Sequence, residues 1–286
     1  MVDFIAEVSS NHHRDLRRSF DFIDAASNAG CTAVKFQLFR VEQLFSKEIL
    51  SASEKHRSRK EWELPLGFLP ELASRCRDRG VKFSCTPFYL DAVSELEPYV
   101  DFYKIASYEL LWDDLLVACA RTGKPVVLST GMALIEEILH AVAVLRNAGC
   151  SSPILLHCTS AYPTPYFEAN LAAIETIRNV TGCQVGWSDH TVEPAVINRA
   201  IHRWGAKLIE FHLDLDGHGE EYLSGHCWLP HQISPVIRGV KMGLESDGCG
   251  VKEPVPSEIP DRAWRADPSD GLRPMKSIRS KFRVSD

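Results

Sequence analysis

Residues 126–157 read VVLSTGMALIEEILHAVAVLRNAGCSSPILLH, and this stretch decides the fold. A short β-branched run, Val126–Leu128, leads into apolar residues at helical spacing from Ala133 to Ala148, then Gly149, then a second apolar run, Ile154–His157. Strand, amphipathic helix, C-cap glycine and strand together spell a parallel βα unit. The same rhythm continues outward in both directions. Strands are expected at Val2–Ala6, Ala33–Phe36, Val81–Ser84, Phe102–Ile105, Gln184–Trp187 and Leu208–Phe211, with further amphipathic stretches at Leu16–Ala29, Pro70–Arg79 and Pro194–Trp204. Eight βα units in roughly 250 residues match a (β/α)8 TIM barrel, whereas a doubly wound sheet has about five to seven strands.

The barrel is expected as a single domain over residues 1–245, followed by a C-terminal extension or arm over 246–286. That tail is rich in Pro, Gly and charge, and the mixed charges from Lys276 to Arg283 read as solvated. Residues 38–65, which include the charged run Ser53 to Glu61, interrupt the repeat and read as a solvated surface loop rather than a substrate lid.

Composition narrows the partners. With 38 acidic and 32 basic side chains the formal net charge is -6, so the field of the whole protein repels a polyanion and nucleic acid is not expected as a partner. The nine cysteines are scattered and never spaced Cys-x-x-Cys, as expected of reduced thiols in a cytoplasmic protein. The N-terminus lacks a basic leader and reaches Glu7 early, and no apolar run approaches the roughly 18 residues of a membrane span.

In such a barrel, chemistry gathers at the C-terminal ends of the strands, and here every strand ends in polar residues. The first brings Glu7, then Asn11 and His12; the second Lys35 and Gln37; the third Ser84 and Thr86; the fourth Lys104, Ser107 and Glu109. The fifth brings Ser129 and Thr130; the sixth His157, with Tyr162 beyond; the seventh Ser188, Asp189 and His190; the eighth Glu210 and His212. Barrel stability requires none of this, so a polar, anion-receiving mouth is expected. Lys35 and Lys104, ringed by the hydroxyls of Thr86, Ser107, Ser129 and Ser188, suit a small dianion or trianion such as a phosphorylated carboxylic acid. His190 and His212, on adjacent strands, are spaced as two imidazole ligands of one divalent ion would be.

Ile5-Ala-Glu-Val, Ala33-Val-Lys-Phe-Gln, Ser84-Cys-Thr-Pro-Phe, Tyr103-Lys-Ile-Ala-Ser-Tyr-Glu, Leu156-His-Cys-Thr-Ser-Ala-Tyr, Gly186-Trp-Ser-Asp-His and Ile209-Glu-Phe-His, taken together and in order, resemble the N-acetylneuraminate (sialic acid) synthase family. The resemblance implies a metal-dependent barrel enzyme that condenses phosphoenolpyruvate with an open-chain aldose or N-acyl amino sugar. The reaction would release phosphate and form a nonulosonic, 2-keto-3-deoxy sugar acid. Carried over by position, it implies phosphoenolpyruvate binding by Lys35, Thr86, Lys104, Ser107, Ser129 and Ser188, and a divalent metal, Mn2+ or Mg2+, on His190 and His212. Glu7 would stand near the metal and the reacting carbons, while Gln37, Glu109 and Tyr162 would line the sugar site. A homodimer is also implied.

Two departures bear on the acceptor side. The family's small C-terminal antifreeze-like domain would begin just after Leu272-Arg-Pro-Met-Lys276, and the expectation is a barrel without it. The family's Pro-Gly-Pro-Asp-His motif is replaced by the stretch Gly217 to His226; with His226 matched to the motif's histidine, Gly225 takes the place of the aspartate, so either Glu220 or Glu221 substitutes or the function is altered. Two other readings share the barrel: an aldolase that forms a Schiff base on one of the lysines, and a non-catalytic phosphoenolpyruvate-binding protein.

Overall fold

The structure, a computed structural model, describes residues 2–282. Eight strands, β1 (Asp3–Glu7), β2 (Ala33–Leu38), β3 (Lys82–Pro87), β4 (Phe102–Ile105), β5 (Val126–Ser129), β6 (Ile154–His157), β7 (Gln184–Asp189) and β8 (Leu208–Leu213), pair in parallel, each with the next. β1 also pairs with β8, which closes the (β/α)8 barrel. Helices Leu16–Ala29, Leu69–Asp78, Leu90–Leu96, Asp113–Arg121, Ile135–Asn147, Ala173–Thr181, Pro194–His202 and Pro230–Ser246 follow the strands in turn. The first shows how local chemistry sets the ends. Asp15 caps it by accepting the Arg18 N–H at 3.0 Å, and Gly30, at φ 95°, ends it while donating to the Ala26 and Ser27 carbonyls.

Several strands run one to three residues further than periodicity indicates. β2 reaches Leu38, β3 Pro87, β7 Asp189 and β8 Leu213, because the ladder continues through the polar residues, as in the pairs Gln37–Thr86 and Ser188–Glu210. Glu7, Lys35, Gln37, Thr86, Lys104, Ser129, Ser188 and His212 therefore stand on paired strands, while Ser107, Glu109, Tyr162 and His190 lie beyond the strand ends. An unexpected ninth strand, β9 (Cys227–Trp228), adds to β8 in the register His212–Cys227. Two residues carry no periodic signal.

Ile5, Ala33, Phe102, Val127, Leu156 and Leu208 form a separate buried cluster. Two residues beyond five of these, on the same face of the same strand, stand Glu7, Lys35, Lys104, Ser129 and Glu210. The interior is thus an apolar layer with a polar layer above it. The larger core, including Phe22, Phe36, Phe83, Tyr103 and Trp187, packs strands against helices.

The chain divides into two compact units, Met1–Leu244 and Glu245–Asp286. The second has structure of its own: Arg279 pairs with Asp270, Lys276 Nζ lies 3.7 Å from the same carboxylate, and the rings of Trp264 and Phe282 meet at 5.4 Å. Lys276 and Arg279 are therefore ion-paired rather than merely solvated; Arg283, the last charge of that run, lies outside the described residues, as do the other positions of the expected arm from 284 to 286. Among the described residues no helix is long and apolar enough to cross a membrane.

Gly186 on β7 lies between Leu156 and Leu208. A Cβ there would sit 2.1 Å from the Leu208 carbonyl oxygen and 2.7 Å from Leu156 Cδ2. Gly186→Ala is expected to destabilise the barrel by about 3 kcal/mol, the upper range for overpacking because the obstacle is backbone, as read from urea unfolding midpoints at unchanged m-value.

Candidate active site

A cavity of about 750 Å³ opens at the C-terminal ends of the strands. Of the residues expected at the site, Lys35, Gln37, Lys104, Ser107, Glu109, Ser129, Tyr162, Ser188, His190 and His212 line it. Glu7 and Thr86 do not; both lie behind Lys35. Thr86 Oγ1 accepts from Lys35 Nζ at 3.1 Å, and Glu7 forms an ion pair with Lys35. These two residues therefore hold the ammonium in place.

The two lysines are buried, 3% and 1% exposed, and neither is a free charge. Lys35 pairs with Glu7, its neighbour across the β1–β2 ladder. Glu7 also accepts from the Ser9 amide at 2.7 Å and from Gln37 Nε2 at 3.1 Å. Lys104 Nζ lies 3.4 Å from Glu210 Oε1, which also accepts from Ser188 Oγ at 3.1 Å. Burial pushes the Lys35 ammonium down to about 8, opposed by the Glu210 carboxylate. Burial works against ionisation of Glu210 as well, but Lys104 and Lys35 hold its carboxyl below the usual range.

On the β4–β6 side, Ser107 Oγ accepts from the Gly131 amide at 3.0 Å and lies 3.2 Å from Cys158 Sγ. A Cβ at Gly131 would come within 2.3 Å of Ser160 Oγ, so only glycine lets these hydroxyls converge. Glu109 is 9% exposed, and its Oε2 has no hydrogen-bond partner among the described residues. Desolvation raises its carboxyl to about 7, with Lys104 opposing.

His190 and His212 face each other with ring centres 5.4 Å apart. His190 Nδ1 lies 2.9 Å from the Thr159 carbonyl oxygen, which can only accept, and His212 Nδ1 lies 2.8 Å from Glu221 Oε2. Both rings thus turn Nδ1–H to these oxygens, which leaves Nε2 as the nitrogen that can ligate a metal. Burial, with His212 adding to it, lowers His190 to about 3 and keeps it neutral. These residues fit a divalent ion. Asp189, fully buried, accepts from the indoles of Trp187 at 3.0 Å and Trp228 at 3.1 Å and from Thr191 Oγ1 at 2.7 Å. It ties the turn that carries His190 to β9.

Sequence reasoning missed part of this wall. Glu221 and His226 line the cavity, with Glu221 Oε2 3.6 Å from His226 Nε2, and Tyr162 stacks over His190 and His226 at 4.3 and 5.1 Å. Of the two glutamates offered as substitutes for the motif aspartate, Glu220 is exposed and Glu221 is the one in the wall. Burial works against Glu221 ionising, but His212, His226 and Ser9 hold its carboxyl well below the usual range. The solvated reading of residues 38–65 is also corrected. The segment folds into three short helices and a 3-10 turn, and Phe45, His56, Arg59 and Trp62 line the cavity. The Arg59 guanidinium lies 5.4 Å from the ring centres of both Phe45 and Trp62, and Arg14 Nη1 donates to the Lys60 carbonyl at 3.0 Å. Aromatic residues on either side of the charged run were the available signal.

Comparison with known proteins finds relatives along most of the chain. The model of the NeuB family matches residues 22–252. An uncharacterized protein of Methanocaldococcus jannaschii is 38% identical over 259 residues, 89% of this chain and 74% of its own. The N,N'-diacetyllegionaminic acid synthase of Legionella pneumophila is 30% identical over 276 residues, 91% of this chain and 77% of its own. The crystal structure of N-acetylneuraminic acid (sialic acid) synthetase from Leptospira borgpetersenii, in complex with citrate, superposes with a TM-score of 0.80 at 30% identity, covering 91% of this chain and 90% of that one.

Because Glu109 is raised in the fold, the folded state holds its proton more tightly than the unfolded state does. Its contribution to stability is full below about 4.5 and is lost as pH rises toward about 7. Glu109→Gln removes that dependence. The gain in urea stability of the variant over wild type should therefore be larger at pH 8 than at pH 4 by roughly 3 kcal/mol.

Proposed function

The chain belongs to the NeuB family, and from that premise we propose that it condenses phosphoenolpyruvate with an open-chain aldose or N-acyl amino sugar. The products are inorganic phosphate and a 2-keto-3-deoxy sugar acid of the sialic-acid kind. That it is a sugar-acid synthase accords with its relatives, the N,N'-diacetyllegionaminic acid synthase and the sialic acid synthetase. One observation carries the reading: two lysines, a row of hydroxyls and two metal-competent imidazoles open into one cavity.

Lys35 and Lys104, with Ser107, Ser129 and Ser188, receive the phosphate and carboxylate of the enol phosphate. Gln37, Glu109 and Tyr162 stand around the acceptor. Holding both reactants in one desolvated cavity supplies the entropic share of catalysis. C3 of the enol phosphate forms the new bond to the aldehyde carbon, and the aldehyde oxygen takes up a proton, for which the Glu109 carboxyl, titrating near neutrality, is the donor at hand. Water adds at C2 and gives up a proton. The resulting hemiketal phosphate collapses with cleavage of the C2–O bond, releasing phosphate. Glu7, through Lys35 and Gln37, keeps the donor side in register with the incoming water. His190 and His212 would hold a divalent ion, Mn2+ or Mg2+, which when bound would supply Lewis acidity toward a carbonyl oxygen.

A Schiff-base route draws on one observation, the lowered ammonium of Lys35. Its contacts to Glu7 and Thr86 oppose it by keeping the nitrogen protonated and engaged. Borohydride treatment with a keto substrate is expected to leave the chain's mass unchanged; a trapped adduct on Lys35 would establish the rival route.

Phosphate release from phosphoenolpyruvate is expected only when an aldose or amino sugar is present, and is expected to stop with a chelator and resume with Mn2+. Glu7→Gln should lower kcat on the order of 10²–10⁴-fold. Calorimetry should show phosphoenolpyruvate binding as tightly as to wild type or more so, because Lys35 loses a competing carboxylate. Unchanged turnover in that variant would remove Glu7 from the mechanism.

A further inference from the structure

Glu221 stands where two imidazoles, two hydroxyls and a thiol meet. We propose that it is a positioning residue: its carboxylate fixes His212 in the Nδ1–H tautomer, so that Nε2 is presented to the metal, and the same oxygen holds His226 beside it. The inference rests on the metal-dependent reading above and extends it to Glu221 and His226, whose side-chain donor atoms lie with those of His212 and Cys227 within 4.8 Å of one another.

The hydrogen-bond geometry leaves little choice. Glu221 Oε2 lies 2.8 Å from His212 Nδ1, 3.6 Å from His226 Nε2 and 3.7 Å from Cys227 Sγ. Oε1 accepts from Ser9 Oγ, with Ser10 Oγ at 3.4 Å. A carboxylate only accepts, so every group facing it must turn a hydrogen toward it. His226 meets that demand when Ser224 Oγ, 3.0 Å from both its Nδ1 and the Glu221 carbonyl oxygen, turns its one hydrogen to Nδ1. Removing Glu221 frees His212 to carry its proton on Nε2, where it blocks ligation. The backbone supports the placement. Glu221 sits on the single turn Glu220–Leu223, and β9 brings Cys227 opposite His212, so His226 comes alongside. That turn seats closely on the loop after β1: a Cβ on Gly219 would come 2.8 Å from Asn11 Oδ1. The carboxylate–histidine–metal relay is a recurrent way to orient an imidazole, and losing the carboxylate weakens metal affinity roughly 10–100-fold.

The experiment uses the full chain labelled with 15N-histidine. Long-range 1H–15N spectra of the metal-free protein read the tautomers, with His212→Gln assigning the peak, and EPR titration of free Mn2+ gives the affinity. Wild type should show His212 as Nδ1–H. Glu221→Ala and the volume-matched Glu221→Gln should move it toward Nε2–H and weaken Mn2+ binding roughly 10–100-fold, with partial recovery in Glu221→Asp. Thermal unfolding of each variant confirms that it is folded. An unmoved His212 tautomer in a folded variant, or Mn2+ affinity within about twofold of wild type, would overturn the proposal. So would a loss beyond about a thousandfold with an altered Mn2+ spectrum, which makes Glu221 a direct ligand. If wild type binds no Mn2+, the metal-dependent reading falls, while the tautomer measurement, made without metal, still reports on Glu221 alone.

Discussion

Two ammonium groups inside a closed barrel must be neutralised there, and the architecture of the mouth follows from that requirement. An unpaired buried charge costs several kcal/mol, so each lysine needs a carboxylate within reach and further hydrogen bonds to hold both in place. Strand register supplies them: Glu7 sits beside Lys35 across one ladder, and Glu210 beside Ser188 across another, 3.4 Å from Lys104. The apolar layer of Ile5, Phe102, Val127 and Leu156 seals the barrel beneath and keeps bulk water from screening these pairs. An anionic substrate does not meet bare cations. Any anion entering the cavity meets a lining already internally compensated.

The barrel was legible because its signal is local and repeated. Short β-branched runs, each followed by a helical period and a glycine, fix the fold, which is why Lys35, Lys104, Ser188 and His212 are found where residue type and position placed them. Thr86 was legible as a strand-end hydroxyl, but its task was not. Whether such a hydroxyl faces a ligand or props up a lysine depends on the neighbouring strand.

What the sequence did not disclose lies on segments without a repeat. Glu221 and His226 sit on a one-turn helix and beside a two-residue strand, each too short to show a period, and their convergence with His212 depends on long-range pairing to β8. The segment from 38 to 65 was hidden by its own composition. Charged residues dominate the count, while Phe45 and Trp62, with Arg59 over both rings, face the cavity. In both places tertiary contact overrides composition.

The cavity has two walls of different origin. The lysines, Ser129, Ser188 and His212 belong to strands locked in a closed ladder, where altering one residue disturbs its neighbours on both sides. Much of the opposite wall, from Phe45 to Trp62 and from Glu221 to His226, hangs on excursions fastened to the barrel by a few bonds, such as Arg14 to Lys60 and the short pairing of β9. Such excursions can be rewritten without reopening the ladder. On the proposed function, one barrel can thereby keep a constant chemistry for one reactant while exchanging the surface that meets the other, and a change of sugar preference then becomes a matter of replacing two inserts rather than redesigning a core.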